Sequence, residues 1–201
     1  MKQAFSKQLE TWLDSNQPKT IETLVQTFAE KSFAIVILLL MFIPALPVPT
    51  GGITHIFEII VMLLSLELMA GRRTLWLPKK WLKMKLGKTL QTKTIPMMMR
   101  RIRWFEKYSR PRYGWLINHR YFLRVVGVMF FVLALAAFLA PPFSGLDTFP
   151  SLAAVVIALA LMLDDALVFA FGFLLSALGI LLVFLTGHAT VEVIKHLLGT
   201  R

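Results

Sequence analysis

The sequence predicts an all-α integral membrane protein: two pseudo-repeated helical hairpins, spanning or re-entrant, then a final transmembrane helix, with amphipathic helices in the interface. Three observations predict this. First, 57% of the 201 residues are hydrophobic while the net charge is +11, and grease and charge occupy different stretches, unlike a soluble domain with a basic patch. Second, residues 33–73 read as an apolar run, a Pro-Gly turn at 44–52 and a second apolar run ending in Gly71-Arg72-Arg73. Third, the pattern returns 93 positions later without a gap: Lys31 matches Arg124, Leu40 matches Leu133, Pro49 matches Pro142 and Gly52 matches Gly145. Leu66, Leu68 and Met69 likewise match Leu159, Leu161 and Met162. In so apolar a chain the proline and glycine matches carry the case for an internal duplication, a common origin of membrane transport folds.

Residues 1–32 are polar and amphipathic, so no cleavable signal peptide is expected. Residues 3–15 place Phe5, Leu9, Trp12 and Leu13 on one helical face, and 20–31 do the same with Ile21, Leu24, Val25 and Phe28. Such helices either lie in the membrane interface or pack on the protein.

The first hairpin covers 33–70. Its apolar runs, 33–47 and 54–70, reach about 22 and 25 Å as helices, against about 30 Å of hydrocarbon. The hairpin therefore either crosses a thinned bilayer or dips in and returns. Pro47, Pro49, Gly51 and Gly52 form its turn, because proline stops a helix and glycine permits the reversal. A re-entrant tip needs protein around it, since open backbone in lipid stays unpaired. A second hairpin facing the first would supply that cover.

Residues 71–124 hold 16 of the 22 Lys and Arg and one acid, Glu106, which places this segment in the cytoplasm. Trp76, Trp81, Trp104, Tyr108, Tyr113, Trp115 and Tyr121 are interleaved with the cations. Rings at the headgroup level and cations on anionic lipid suit that mixture. Arg72, Arg73, Arg110 and Arg112 are candidate lipid-facing cations. The flanking membrane segments argue against nucleic acid as a partner.

The second hairpin, 125–163, turns at 141–150 with Pro142 and Gly145, and ends at Asp164-Asp165. The run 166–186 reaches about 31 Å, long enough to span. The tail 187–201 reads as a short amphipathic helix outside the cytoplasm.

Polar groups inside apolar runs are the candidate site, because lipid burial makes them costly. His55 and Glu58, three residues apart, share a helix face at the hairpin tip and suit a proton or ligand site. Glu67 lies on the opposite face and reads as a partner for Arg72 or Arg73. Asp164 and Asp165 read either as solvated turn acids or as an ion pair across the pseudo-repeat. There is no Cys, so no disulfide framework or thiolate site can form. His188, Glu192 and His196 share a face but read as a polar surface rather than a metal centre. No nucleotide loop or nucleophile–base motif is present, so no cofactor and no catalytic residue is expected.

Pro47-Val-Pro49-Thr-Gly51, Gly71-Arg72-Arg73-Thr-Leu-Trp76-Leu77-Pro78, Glu106 with Arg110-Pro111-Arg112, Pro142-Phe143 with Pro150, and Asp164-Asp165 come in an order and spacing that resemble the ExoD family of bacterial membrane proteins. The resemblance covers about residues 20 to 185. Departures at Thr50, Ser144 and Ala166 touch turn detail. The resemblance implies an inner-membrane protein that supports exopolysaccharide or envelope production in a non-enzymatic role, with polysaccharide-synthesis machinery as its partner and a homo-oligomer left open. The alternative reading is a small transporter or lipid-carrier translocator with its site at the hairpin tips.

Overall fold

A computed structural model describes residues 5–28, 31–46, 54–72, 75–76, 83, 85, 87, 90–109, 119–140 and 145–197, with side chains as far as Thr186. In chain order the helices are α1 (Phe5–Asp14), α2 (Ile21–Thr27), α3 (Ser32–Phe42), α4 (Thr54–Met69), α5 (Ile95–Tyr108) behind a π-helical turn at Leu90–Thr94, α6 (Arg120–Leu139), α7 (Thr148–Leu163) and α8 (Ala166–Leu197). Among the described residues no strand forms; Thr20 and Lys85 make an isolated bridge.

Several helix ends differ from the apolar runs, each for a local reason. α3 stops at Phe42 because Pro44 cannot donate to the preceding turn and crowds it. Its end closes through Ala45 N–H to the Met41 carbonyl at 3.0 Å and Leu46 N–H to Ile43 at 3.1 Å. α6 starts five residues before the apolar run, since Arg120, Leu123 and Arg124 are good helix formers and hydropathy marks grease rather than helix. α7 takes Pro150 in its first turn, where a missing N–H costs nothing. α8 continues through Gly187 to Leu197 as one helix of 32 residues, so the tail is its extension rather than a separate helix; one glycine costs about 1 kcal/mol and does not end a helix.

α3 and α7 form the centre. α3 buries Ser32 to Leu39 and Met41, and α7 buries most of its length, including Ala153, Ala154, Ile157 and Ala158; a helix apolar all round belongs inside. The broadest packing joins α4 to α6, α8 to α7 and α3 to α7. These pairs run antiparallel: Gly127 of α6 faces Met69 and Ser65 of α4, Gly179 of α8 faces Pro150 and Phe149 of α7, and Lys31 at the start of α3 reaches Met162 at the end of α7. Small residues set the approach. A Cβ on Gly127 would stand 2.9 Å from the Met69 backbone nitrogen, and one on Gly172 would stand 2.8 Å from Ile157 Cγ1, the close contact by which membrane helices associate.

The outer surface is inverted relative to a soluble bundle. α4 exposes Ile56, Ile59, Leu63 and Leu66; α6 exposes Val125, Val128, Val132 and Leu139; α8 exposes Leu167, Phe171, Leu174, Leu178, Leu181 and Phe184. Among the described residues, α6 (Arg120–Leu139) and the Ala166–Thr186 stretch of α8 are long and apolar enough to cross a membrane.

Lys31, Arg124, Asp164 and Asp165 gather at one end. Lys31 Nζ donates to the Met162 carbonyl at 2.5 Å and to Asp164 Oδ2 at 2.9 Å. Ninety-three positions apart, α4 and α7 end alike: Gly71 (φ +82°) and Asp164 (φ +54°) both take the left-handed conformation. Arg72 N–H reaches the Glu67 carbonyl at 3.1 Å, and Asp165 N–H reaches Ala160 at 3.1 Å. The Arg124 guanidinium lies where a Gly71 Cβ would meet it at 3.1 Å, as Lys31 lies at the end of α7. A cation at each helix C-terminus complements the helix dipole.

α1, α2 and α5 cap the bundle. Leu9, Trp12, Leu24 and Phe28 are buried in the core, so the N-terminal helices pack on the protein with their apolar faces. α5 buries Ile95, Met98, Met99 and Ile102. Ser6 donates its backbone N–H to Glu106 Oε1 at 2.9 Å and its hydroxyl to Glu106 Oε2, and Arg103 pairs with Glu10 at 3.0 Å. The one acid of the basic segment thus anchors the start of α1.

Candidate functional site

Among the described residues, Glu58 is the charged side chain that is fully buried in the apolar bundle. It lies on the inner face of α4 with Thr54, Val61, Ser65 and Leu68, and none of its surface is exposed. The spacing of 54, 58, 61, 65 and 68 makes one helical stripe. Glu58 Oε2 meets His55 Nδ1 at 2.7 Å. The His55 ring packs edge-on against Phe138 of α6, with centroids 5.2 Å apart, which fixes the imidazole over the carboxylate. The His55 side chain keeps 28% exposure. The pair therefore joins a buried carboxylate to the surface.

Glu58 Oε1 has no hydrogen-bond partner among the described residues. Neither has Ser151 Oγ, on a fully buried residue in the first turns of α7. Ser151 occupies the register of Glu58 at the 93-residue spacing. Asp147, just before α7, is near enough for its charge to act on Glu58. The arrangement can accept a proton, or hydrogen bonds from a ligand, where the apolar lining provides nothing in their place.

The remaining candidates do other work. Glu67 Oε2 accepts the Trp76 backbone N–H at 2.9 Å, and Arg72 lies over the Trp76 ring at 5.8 Å; Arg73, the other expected partner of Glu67, lies outside the described residues. Asp164 takes Lys31, a cross-hairpin ion pair with a cation not singled out from sequence. Asp165 is buried. Its Oδ1 accepts the Leu167 N–H at 2.9 Å, which caps α8, and its Oδ2 accepts the Ser109 hydroxyl at 2.8 Å, so it ties α5 to the bundle. Gly145 has φ +69° at the second turn. Pro47, Pro49, Gly51, Gly52, Pro142, Arg73, Arg110 and Arg112 lie outside the described residues. Of the expected constellation, His55 and Glu58 come together near one end and Asp164 and Asp165 at the other.

Sequence reasoning passed over Ser151, Asp147 and Phe138. The 93-residue register maps Glu58 onto Ser151, so that signal was present. An apolar cavity of about 250 Å³ lies between α5 and the α3–α7 pair, with Phe42, Met98, Phe105 and Val156 among its walls and Arg101 beside them.

The family model described as "Exopolysaccharide synthesis, ExoD" matches residues 5–185. A Synechocystis protein named "Uncharacterized protein slr1875" is 30% identical over 159 residues, covering 77% of this chain and 72% of its own length. No solved structure matches the chain.

Proposed function

The chain belongs to the ExoD family, and we propose that it is a multi-pass protein of the bacterial inner membrane that supports exopolysaccharide production without catalysing a reaction itself. The observation that carries the membrane reading is the set of exposed apolar stripes on α4, α6 and α8. An uninterrupted apolar exterior of this extent would drive a soluble protein to aggregate, whereas lipid covers it at no cost. The two hairpins are read as a duplication, supported by the matching helix ends at Gly71 and Asp164. The basic segment 71–124 lies in the cytoplasm by its charge. On α5, exposed Arg100, Arg101 and Lys107 beside exposed Trp104 and Tyr108 suit anionic headgroups.

One observation favours a second reading, a translocator with its site at the hairpin tips. A buried carboxylate with an unused oxygen in an apolar bundle is the kind of group that marks an ion or substrate path. The test is a deletion strain complemented with the wild type, E58Q or H55Q at matched membrane levels. Secreted polysaccharide restored by all three supports the scaffold role; loss in both variants supports translocation. Normal polysaccharide in the deletion strain itself removes the family-based function.

A further inference from the structure

We infer that Glu58 and His55 form a proton-binding site inside the bundle, with His55 as its link to water. The inference deepens the translocation reading and rests on it for what the proton would drive.

α6 contributes Phe138 at the His55 ring and the buried Ala134 and Ala137 on its inner face. α3 is apolar from Phe33 to Phe42. The cations Lys31 and Arg124 sit at the opposite end, on the C-termini of α7 and α4. Beyond the other end's cations, the charged groups set nearest Glu58 among the described residues are His55 and Asp147, the latter an acid. Among the described residues no fixed cation therefore balances the carboxylate, and no donor reaches its Oε1. A buried ionised oxygen in that position is costly; a neutral carboxyl leaves Oε1 as a carbonyl oxygen, which costs far less.

The path for the proton is short. The imidazole, 28% exposed, is the part of the pair that lies at the surface of the bundle, and through it the site would draw its proton. A proton taken up at His55 Nε2 allows the Nδ1 proton to pass across 2.7 Å to Glu58 Oε2. The net change is one proton gained by the pair from water, with no other bond altered. Carboxylate–histidine chains inside membranes commonly serve as proton relays. The Ser151 hydroxyl, which stands at the 93-residue register of Glu58 on α7, is likewise buried without a partner.

The test is infrared difference spectroscopy of the full chain in lipid nanodiscs as the pH is stepped. The expected result is a protonated-carboxyl band that grows on acidification, vanishes in E58Q, shifts in frequency in H55Q and persists in E67Q. A wild type without such a band, or a band that survives E58Q, overturns the site. Should E58Q fail to fold, H55Q decides: an unshifted band overturns the role of His55. The complementation strain separates this from the translocation reading. A titrating Glu58 band together with full polysaccharide output from E58Q leaves the proton site standing and removes translocation as its purpose.

Discussion

Lys31 and Asp164 show how single residues fasten the two hairpins. The Lys31 ammonium reaches both the Met162 carbonyl and the Asp164 carboxylate, so it neutralises the end of α7 from the start of α3. A charged hydrogen bond in a largely buried place contributes more than a surface ion pair. Lys31→Met should destabilise the bundle by about 2 kcal/mol, read from denaturant unfolding in micelles; a change below about 0.5 kcal/mol would mean the contact is solvated, as surface pairs are. This residue-level pairing was only half legible. The sequence aligned Lys31 with Arg124 and placed Asp164 at a hairpin end, but which cation meets which helix end depends on packing between hairpins. His55 and Glu58 were legible as neighbours because three residues make nearly one helical turn. Their burial was not, since an apolar helix carries no polar face from which to tell inside from outside.

At the scale of elements, the apolar runs located α3, α4, α6, α7 and α8 but set their ends by grease. Pro44, the Arg120–Arg124 turn and Gly187 moved those ends by local chemistry that hydropathy does not weigh. The seam of α8 was also hidden: Gly172, Ser176 and Gly179 form its buried line against α7, and glycines in an apolar run resemble tolerated accidents until a partner helix is known. Gly172→Leu should push α8 from α7, costing about 2 to 3 kcal/mol by overpacking, whereas Leu174→Ala on the exposed side should change unfolding by less than about 0.5 kcal/mol. Equal effects would refute the seam. α5 was not legible as a helix, because residues 71–124 stood out only by their cations and rings; its apolar face, Ile95, Met98, Met99 and Ile102, turns to the protein. Its outward cations should still find headgroups. Anionic nanodiscs should raise the melting temperature above that in zwitterionic ones, and R100Q/R101Q/K107Q should abolish the difference; a gap that survives the triple variant would exclude α5 as the docking face.

For the whole molecule, the claim is a bundle whose core is two short buried helices and whose exterior is lipid-facing grease, with the charged cap at one end. The exchange of contacts between hairpins, α3 with α7 and α4 with α6, lets each hairpin cover the inner face of the other, which short apolar runs could not do alone. The chain has no native cysteine, so single cysteines can carry spin labels without background. The most direct measurement is the collision rate of such labels with oxygen, which concentrates in lipid, against a water-soluble nickel chelate. Labels at Leu63, Val128 and Leu174, all exposed and apolar, should relax mainly with oxygen in reconstituted bilayers, and one at Arg100 mainly with nickel. Nickel-dominated relaxation at all three apolar positions would place them in water and contradict the membrane-embedded bundle.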